Sequence, residues 1–578
     1  MDSRTAAHAL AELSAYLRLR GENAFKHRAY ARAAKAVLAL GADDLRPLYE
    51  SGELARVRGI GPATLGVLRD LIEHGASRYL DELRASLPAG LLELIHVPGL
   101  SIERIHQFHT ELGVDSLDAL EAAARDGRIA ALPRLGPQTA KRILQGIEFL
   151  RRNGPLRLAH HVRAEAALLL ASLRANPRVV RAELAGSLRR HLEVAGDIDI
   201  VASTAADPDV VLGEVASMPG IAQLERTPGR MNVSFVHGAR LDLRVVTEPE
   251  FVVAWWRNTG VADHVADVEA RLRDRGLSID AGRLVGGAGE AVQVVDEHAI
   301  YAAAGLAFVE PELREARDEV RVASADALPA LVTTDDIRGV LHCHTVYSDG
   351  KATIAEMASA ARALGWSYLG ISDHSRSAFY ASGLSPEQVL EQHDEIDALN
   401  ATLSGFRVLK GIEADILPDG QLDYDANLLD RFDFVIGSVH SRFSMDAVQM
   451  TDRVLHALED PHLTVLGHPT GRLLLSRQPY AVDVEALLEQ ASRVGAAVEM
   501  NVDPSRMDLD WRLLPRAREL GIPVAIGPDA HSPSGLDNVA MTIGTVRKGW
   551  LEAADVLNTR DADGVLAFAR GRRREPAP

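Results

Sequence analysis

Six histidines and three carboxylates recur in the last third of a 578-residue sequence, each at or just after the end of a short apolar segment. They are His342 and His344 in HCH, Asp349, His374 in SDH, Glu413 in GIEAD, His440 in SVH, His468 in GHP, and Asp529 with His531 in PDAH. Imidazole nitrogen and carboxylate oxygen suit Zn or Mn better than Ca. Nine such groups suffice for two or three ions. A water bridging such ions loses a proton near neutral pH and attacks phosphorus, so the chemistry implied is phosphoester cleavage. An isolated HxH is more often an ordinary surface or core pair. The recurrence at successive strand ends reverses that reading.

A second set lies upstream, where Gly186-Ser187-Leu188-Arg189-Arg190 precedes Gly196-Asp197-Ile198-Asp199, and Asp242 sits in RLDLR. Alternation along a strand puts Asp197 and Asp199 on one face, and a neighbouring strand carrying Asp242 brings three carboxylates together. Such a group holds two Mg²⁺ or Mn²⁺ ions, one acting on an attacking hydroxyl and one on a triphosphate. Gly186, Ser187, Arg190 and Gly196 are the donors expected on the nucleotide side.

Elements that could position these groups follow from periodicity. Residues 1–155 read as helical, with short apolar-periodic segments between Gly- and Pro-containing turns. Three turns are alike: VRGIGP at 57–62, VPGLS at 97–101 and LPRLGP at 132–137, each followed by a helical stretch. Residues 156–250 alternate helix with Val-rich strands such as DIDIVAS and ARLDLRVV, an α+β unit. Residues 251–317 return to helix, and 318–336 lack periodicity and read as a linker. From 337 to 578 strands alternate with helices, which predicts a βα barrel with its site at the strand C-termini.

Composition sets few limits. Hydrophobic residues are 47% and charged ones 25%, both globular values. No apolar run is long enough for a membrane span, Cys343 is the single cysteine, and the N-terminus reads as an amphipathic helix, so a cytoplasmic, disulfide-free protein is expected. The net charge of −18 is uneven: Lys+Arg against Asp+Glu is 19 to 19 over 1–150, 21 to 28 over 151–336 and 23 to 34 over 337–578. The resulting 0, −7 and −11 leave nucleic-acid binding open in the neutral first segment, where backbone amides can serve.

HCHTVYSDG, ISDH, GIEADI, GSVH, GHP and DAHS resemble the PHP (polymerase and histidinol phosphatase) metallophosphoesterase domain. GSLRR, GDIDIV and DLRVV resemble the nucleotidyltransferase palm of the family X DNA polymerases, and the whole chain resembles the bacterial form that fuses the two. The resemblance implies a multidomain protein: an all-α region with helix-hairpin-helix motifs (1–155), a palm (156–250), a thumb (251–317), a linker (318–336) and a distorted (βα)7 barrel (337–578). It implies catalysis by Asp197, Asp199 and Asp242, two or three Mn²⁺ or Zn²⁺ ions in the barrel, and DNA contacts from hairpin residues Gly59, Gly61, Gly99 and Gly136. Gapped or primer-template DNA and dNTPs are the expected partners of a monomer associated with the nucleoid.

The expected activity is gap-filling synthesis with 3′→5′ exonuclease or phosphoesterase trimming. The alternatives are a DNA phosphoesterase with a weakened polymerase core and a histidinol-phosphate-type phosphatase. Three departures from the family pattern bear on this. Val67 stands where the lyase lysine belongs, so deoxyribose-phosphate lyase activity is expected absent or weak, with nearby Lys26 and Lys35 read as solvated or phosphate-binding. Ser101 and Arg134 replace hairpin glycines, an expected cost of about 1 kcal/mol each if the backbone is left-handed there. In the thumb, Asn258, Val265 and Glu269 replace residues that meet the sugar and minor groove; Glu269 is expected to repel phosphate and weaken synthesis.

Overall fold

The computed structural model describes residues 1–573 apart from 2, 41, 43, 89, 95–96, 98–99, 134, 155, 219–220 and 236–237. Gly99 and Arg134 lie outside the described residues. Two compact units emerge: Met1–Leu156 with Gly213–Thr227 and Met231–Leu241, and a second unit holding the rest. No helix among the described residues is long and apolar enough to cross a membrane.

In the first unit, α1 (Pro62–His74), α2 (Ile102–Leu112) and α3 (Pro137–Asn153) each open directly after one of the similar turns. All three turns make the same hydrogen bond: the amides of Ile60, Leu100 and Leu135 donate to the carbonyls of Val57, Val97 and Leu132, each at 3.1 Å. Ile60 and Leu100 are buried, so an apolar residue anchors each of these two hairpins from within. Gly59 holds φ 106°, which a side chain resists. Gly61, Ser101 and Gly136 occupy the matching N-cap positions, with φ of −103°, −78° and −152°. Ser101 is therefore extended rather than left-handed, and the strain expected of it is absent. Its hydroxyl instead accepts from the Arg104 amide and caps α2. Val67 faces inward, buried in the core formed by the first five helices.

The second unit contains a sheet in which β1 (Val179–Leu184), β2 (Ile198–Thr204) and β3 (Arg240–Thr247) lie side by side. β1 and β2 are antiparallel. Helices Phe251–Thr259, Ala262–Asp274 and Glu297–Ala304 pack their apolar faces together beyond β3 around the fully buried Trp256 and Tyr301. A buried ion cluster closes this region. Glu297 receives Arg314 at 2.8 and 3.0 Å and Arg189 at 2.8 and 2.6 Å, and the Arg189 guanidinium lies 3.4 Å from the Trp255 ring centroid.

Burial alone would raise the Glu297 carboxyl, but the two guanidinium groups hold it at about 2, below its ordinary 4.5. A depressed acid stabilises the fold above its unfolded value and loses that contribution as pH falls, here from about 4.5 toward 2. Glu297→Gln leaves the fully buried Arg314 without its charge partner, an expected loss of about 3–5 kcal/mol at pH 7. Urea unfolding of wild type and variant at pH 7 and pH 3 tests this: the gap between midpoints should be wide at pH 7 and narrow at pH 3. Equal midpoints at pH 7 would count against the cluster.

The last 240 residues build seven parallel strands, β4 (Gly339–Val340), β5 (Tyr368–Ile371), β6 (Arg407–Asp415), β7 (Phe434–Ser438), β8 (Leu463–Leu466), β9 (Ala497–Asn501) and β10 (Val524–Gly527), each paired with the next. A parallel bridge between Cys343 and Ala530 joins the two ends of the sheet, so the (βα)7 barrel is nearly closed. Its strands are buried on both faces, which is why they read as continuous apolar runs. Boxes at Thr353/Glu356 and Ser385/Gln388 start two of its helices.

The segment 318–336 contains a short helix and a 3-10 turn. It forms helix Glu319–Ser324, and the buried Val332 donates its amide to Leu551 O at 2.9 Å. Barrel residues also reach the β1–β2 connection. Lys548, fully buried, donates to Arg190 O at 3.0 Å, Glu312 O at 3.2 Å and Glu315 Oε1 at 2.5 Å. Trp511 Nε1 donates to Glu193 at 3.0 Å and Thr545 Oγ1 to His191 O at 2.8 Å. Burial brings Lys548 down to about 8 despite Glu315.

Candidate functional site

The barrel delivers all nine sequence-selected residues to one end. His342 and His344 follow β4, His374 follows β5, Glu413 lies in β6, His440 and His468 follow β7 and β8, and Asp529 and His531 follow β10. Glu413 stands at the centre. Its Oε1 lies 2.9 Å from His468 Nε2, 3.3 Å from His440 Nε2 and 3.4 Å from His342 Nε2, and its Oε2 lies 2.9 Å from His374 Nδ1 and 3.7 Å from His344 Nε2. Asp529 Oδ1 is 3.2 Å from His344 Nε2 and 3.6 Å from His342 Nε2. Asp349 Oδ1 is 3.2 Å from His531 Nε2 and 3.8 Å from His374 Nε2.

These atoms fall into three groups with metal-holding geometry: His344, Asp349, His374 and His531; His342, His344 and Asp529; and His374, Glu413 and His440. Five ring nitrogens (His342 Nε2, both of His344, His374 Nδ1 and His468 Nδ1) and Glu413 Oε2 are buried yet make no hydrogen bond. Orphaned buried polar atoms are costly, about 1–3 kcal/mol each, and all of these but His468 Nδ1 belong to residues of the three groups, which fits divalent cations. Asp529 and His468 also hold left-handed backbone, φ 50° and 23°. Strain of this kind persists where a site demands it.

Sequence reasoning missed the layer that orients the cluster. Glu499, buried in β9, takes His342 Nδ1 at 2.5 Å and the His468 amide at 2.6 Å. Gly527 makes room, since a Cβ there would meet Glu499 Oε1 at 1.8 Å. Asp415 accepts from His440 Nδ1 at 2.6 Å; burial would lower His440, but Glu413 and Asp415 raise it to about 10. Arg506 pairs with Asp529 at 3.2 Å. Asp373, beside His374, is instead saturated by Thr345, Ser348 and Gln392 and braces the His344 loop. Such outer partners fix imidazole tautomers and ring orientation. The signal for Asp415 was visible: two residues after Glu413, it shares that strand face.

The upstream set assembles at the start of β2 and on β3. Burial first, then Asp197 and Asp242, push the Asp199 carboxyl up to about 7. Gly186, at φ 54°, is the contact that allows this: a Cβ there would sit 1.7 Å from Asp199 Oδ2. Ser187 Oγ is buried with no hydrogen-bond partner and its amide supports Asp199. Arg190 donates to Glu315 Oε1 at 2.9 Å and Thr259 O at 2.6 Å, anchoring the loop after β1 to the helical region beyond β3. Arg230, unsuspected from sequence, forks onto Asp242, with Nε to Oδ1 at 2.9 Å and a second bond to Oδ2.

The residues of the three thumb departures each have an intramolecular contact. Glu269 is paired with Arg257 at 2.6 Å. Asn258 Nδ2 caps the Ala254 carbonyl at 2.6 Å, and Val265 packs on the helical core.

Two phosphate-chemistry centres on one chain, an aspartate triad on a five-stranded sheet and a histidine-carboxylate cluster in a parallel barrel, define a fused class. Family models match a helix-hairpin-helix domain at residues 1–77, a SAM-like helix-hairpin-helix tandem at 91–148, a DNA polymerase beta thumb at 254–315 and a PHP domain at 341–500. A Bacillus subtilis protein named DNA polymerase/3′-5′ exonuclease PolX is 34% identical over 568 residues, 97% of this chain and 98% of that one. Probable phosphatases of Thermoanaerobacter sp. and Caldanaerobacter subterraneus are 26% and 29% identical over 40% and 33% of this chain and 95% and 74% of their own lengths. The chain belongs to the family X DNA polymerases that carry a C-terminal PHP domain.

Proposed function

We propose that this chain is a DNA repair enzyme that fills gaps by templated nucleotidyl transfer and trims 3′ ends with its barrel as a 3′→5′ exonuclease or phosphoesterase. The observation that carries this reading is the presence of both constellations on one chain of this family, the triad around Asp199 and the cluster around Glu413. In it, 156–250 acts as palm, 251–317 as thumb and 337–578 as nuclease, in a cytoplasmic, nucleoid-associated monomer.

Asp197, Asp199 and Asp242 would hold two Mg²⁺ or Mn²⁺ ions, and the nine barrel residues two or three Mn²⁺ or Zn²⁺. Such ions supply an activated oxygen nucleophile and neutralise charge on phosphate oxygens. The chain's own residues do the rest. Ser187 Oγ and the amides of the Gly186 turn donate to triphosphate oxygens, and Gly196 gives the turn into β2. Arg230 carries a positive charge to the triad, opposing carboxylate repulsion. Gly59, Gly61 and Gly136 offer hairpin amides to DNA phosphates without side-chain bulk. With Val67 buried in the lyase position, Schiff-base chemistry has no amine there.

A 5′-labelled gapped duplex tests the proposal directly. With Mn²⁺ and dNTPs the primer should lengthen; without dNTPs it should shorten from its 3′ end; EDTA should stop both. A protein that dephosphorylates histidinol phosphate and leaves DNA untouched would be the phosphatase alternative instead.

A further inference from the structure

Between His374 and Leu384 the chain makes a short loop that presents two aromatic side chains to solvent beside the barrel cluster. Phe379 is 86% exposed and Tyr380 61%. Adjacent exposed rings of this size are unusual on a polar surface and mark recognition of something apolar and flat. They are not floppy. The Ser377 amide and hydroxyl bind both oxygens of Asp423 at 2.6 and 2.5 Å, Ser375 N donates to Glu413 O at 3.0 Å, and Leu384 N to His374 O at 2.9 Å. The loop neck is closed so tightly that a Cβ on Gly383 would lie 1.9 Å from Ser375 O. The same backbone thus ties the rings to Glu413 and His374.

The Tyr380 ring centroid is 6.3 Å from the His374 ring and 6.3 Å from the His440 ring. A group stacked on it sits one nucleotide unit or less from a phosphate at the cluster. Phe379 lies 6.2 Å further along at 76°, an edge rather than a second parallel shelf. Arg506 brings a guanidinium against Asp529 at 3.2 Å, a counter-charge for the phosphate.

We propose that Phe379 and Tyr380 form a stacking subsite for the 3′-terminal nucleobase of the DNA strand being trimmed. This rests on the exonuclease reading above and adds to it the part of the substrate that the barrel recognises. Every base has a π-face, so such a subsite reads the presence of a base and not its identity, and it needs a terminal base whose face is free. Because the loop is already fixed, little ordering entropy opposes the contact.

The test compares a single-stranded oligonucleotide ending in thymidine with one ending in a tetrahydrofuran abasic residue, using wild type, Phe379→Ala/Tyr380→Ala and Phe379→Trp/Tyr380→Trp with Mn²⁺. Wild type should favour the base-bearing end in kcat/KM by roughly tenfold, which is about 1.4 kcal/mol. The alanine variant should lose that preference, cleaving the abasic end as wild type does and the thymidine end more slowly, while the tryptophan variant keeps it. A preserved preference in the alanine variant, or equal slowing at both ends, overturns the subsite. If wild type cleaves neither end, the exonuclease reading itself fails.

Discussion

Replacing His342 and His344 together by alanine should abolish 3′-end cleavage while leaving nucleotide addition intact. Both rings are fully buried, and their Nε2 atoms face Glu413 and Asp529 at 3.2–3.7 Å. Removing them takes away every nitrogen donor of the group built on Asp529. An activated nucleophile at such a centre is worth several kcal/mol, so a fall of at least about 10³-fold is expected. Shortening of a labelled primer without dNTPs measures it, and melting in the absence of metal checks the fold, because Glu499 loses the partner that sits 2.5 Å away. Cleavage persisting within tenfold of wild type would remove the cluster from the reaction.

The reciprocal change, Asp197→Ala/Asp199→Ala, should silence primer extension and spare trimming. Asp199 is packed where Gly186 leaves no space for a methyl group, and burial together with the neighbouring Asp197 and Asp242 pushes its carboxyl up to about 7. Without these two acids only Asp242 remains, already forked by Arg230. Extension of a gapped primer should drop by at least about 10³-fold, the scale of losing positioned charge stabilisation at a phosphoryl centre. Extension by the double variant at a rate near wild type would place nucleotidyl transfer elsewhere.

Much of this was legible before any coordinates. Ligand residues at strand ends, the seven apolar barrel strands and the three similar turns carry strong local signals. Histidine and carboxylate are conspicuous after apolar runs, and a hairpin needs its Gly or Pro. What escaped were partners chosen by the fold. Glu499 lies 157 positions from His342, and nothing local marks a strand glutamate as its acceptor. Glu269 accepts from Arg257, twelve positions earlier on another helix, a pairing that single-residue charge does not reveal. The extended backbone of Ser101 is invisible in the sequence, because Gly at an N-cap and Gly at a left-handed turn look identical there. The strand Ile221–Thr227 gave no alternation because all but its first residue is exposed.

The Lys548 anchor bears on how such an enzyme can be dismantled, in the laboratory or by a chance stop codon. A chain cut after the β3 helical region would leave Glu315 short of one of its two cations, Glu193 bare where Trp511 now covers it, and the Arg190 and Glu312 carbonyls without their ammonium donor. The loss would fall on the loop that carries Gly186 and Ser187. A shortened protein of this kind is expected to be a poorer polymerase, as well as a protein without a nuclease, so loss-of-nuclease alleles that keep synthesis should be missense changes in the barrel rather than truncations. The two activities are inherited as one folded object.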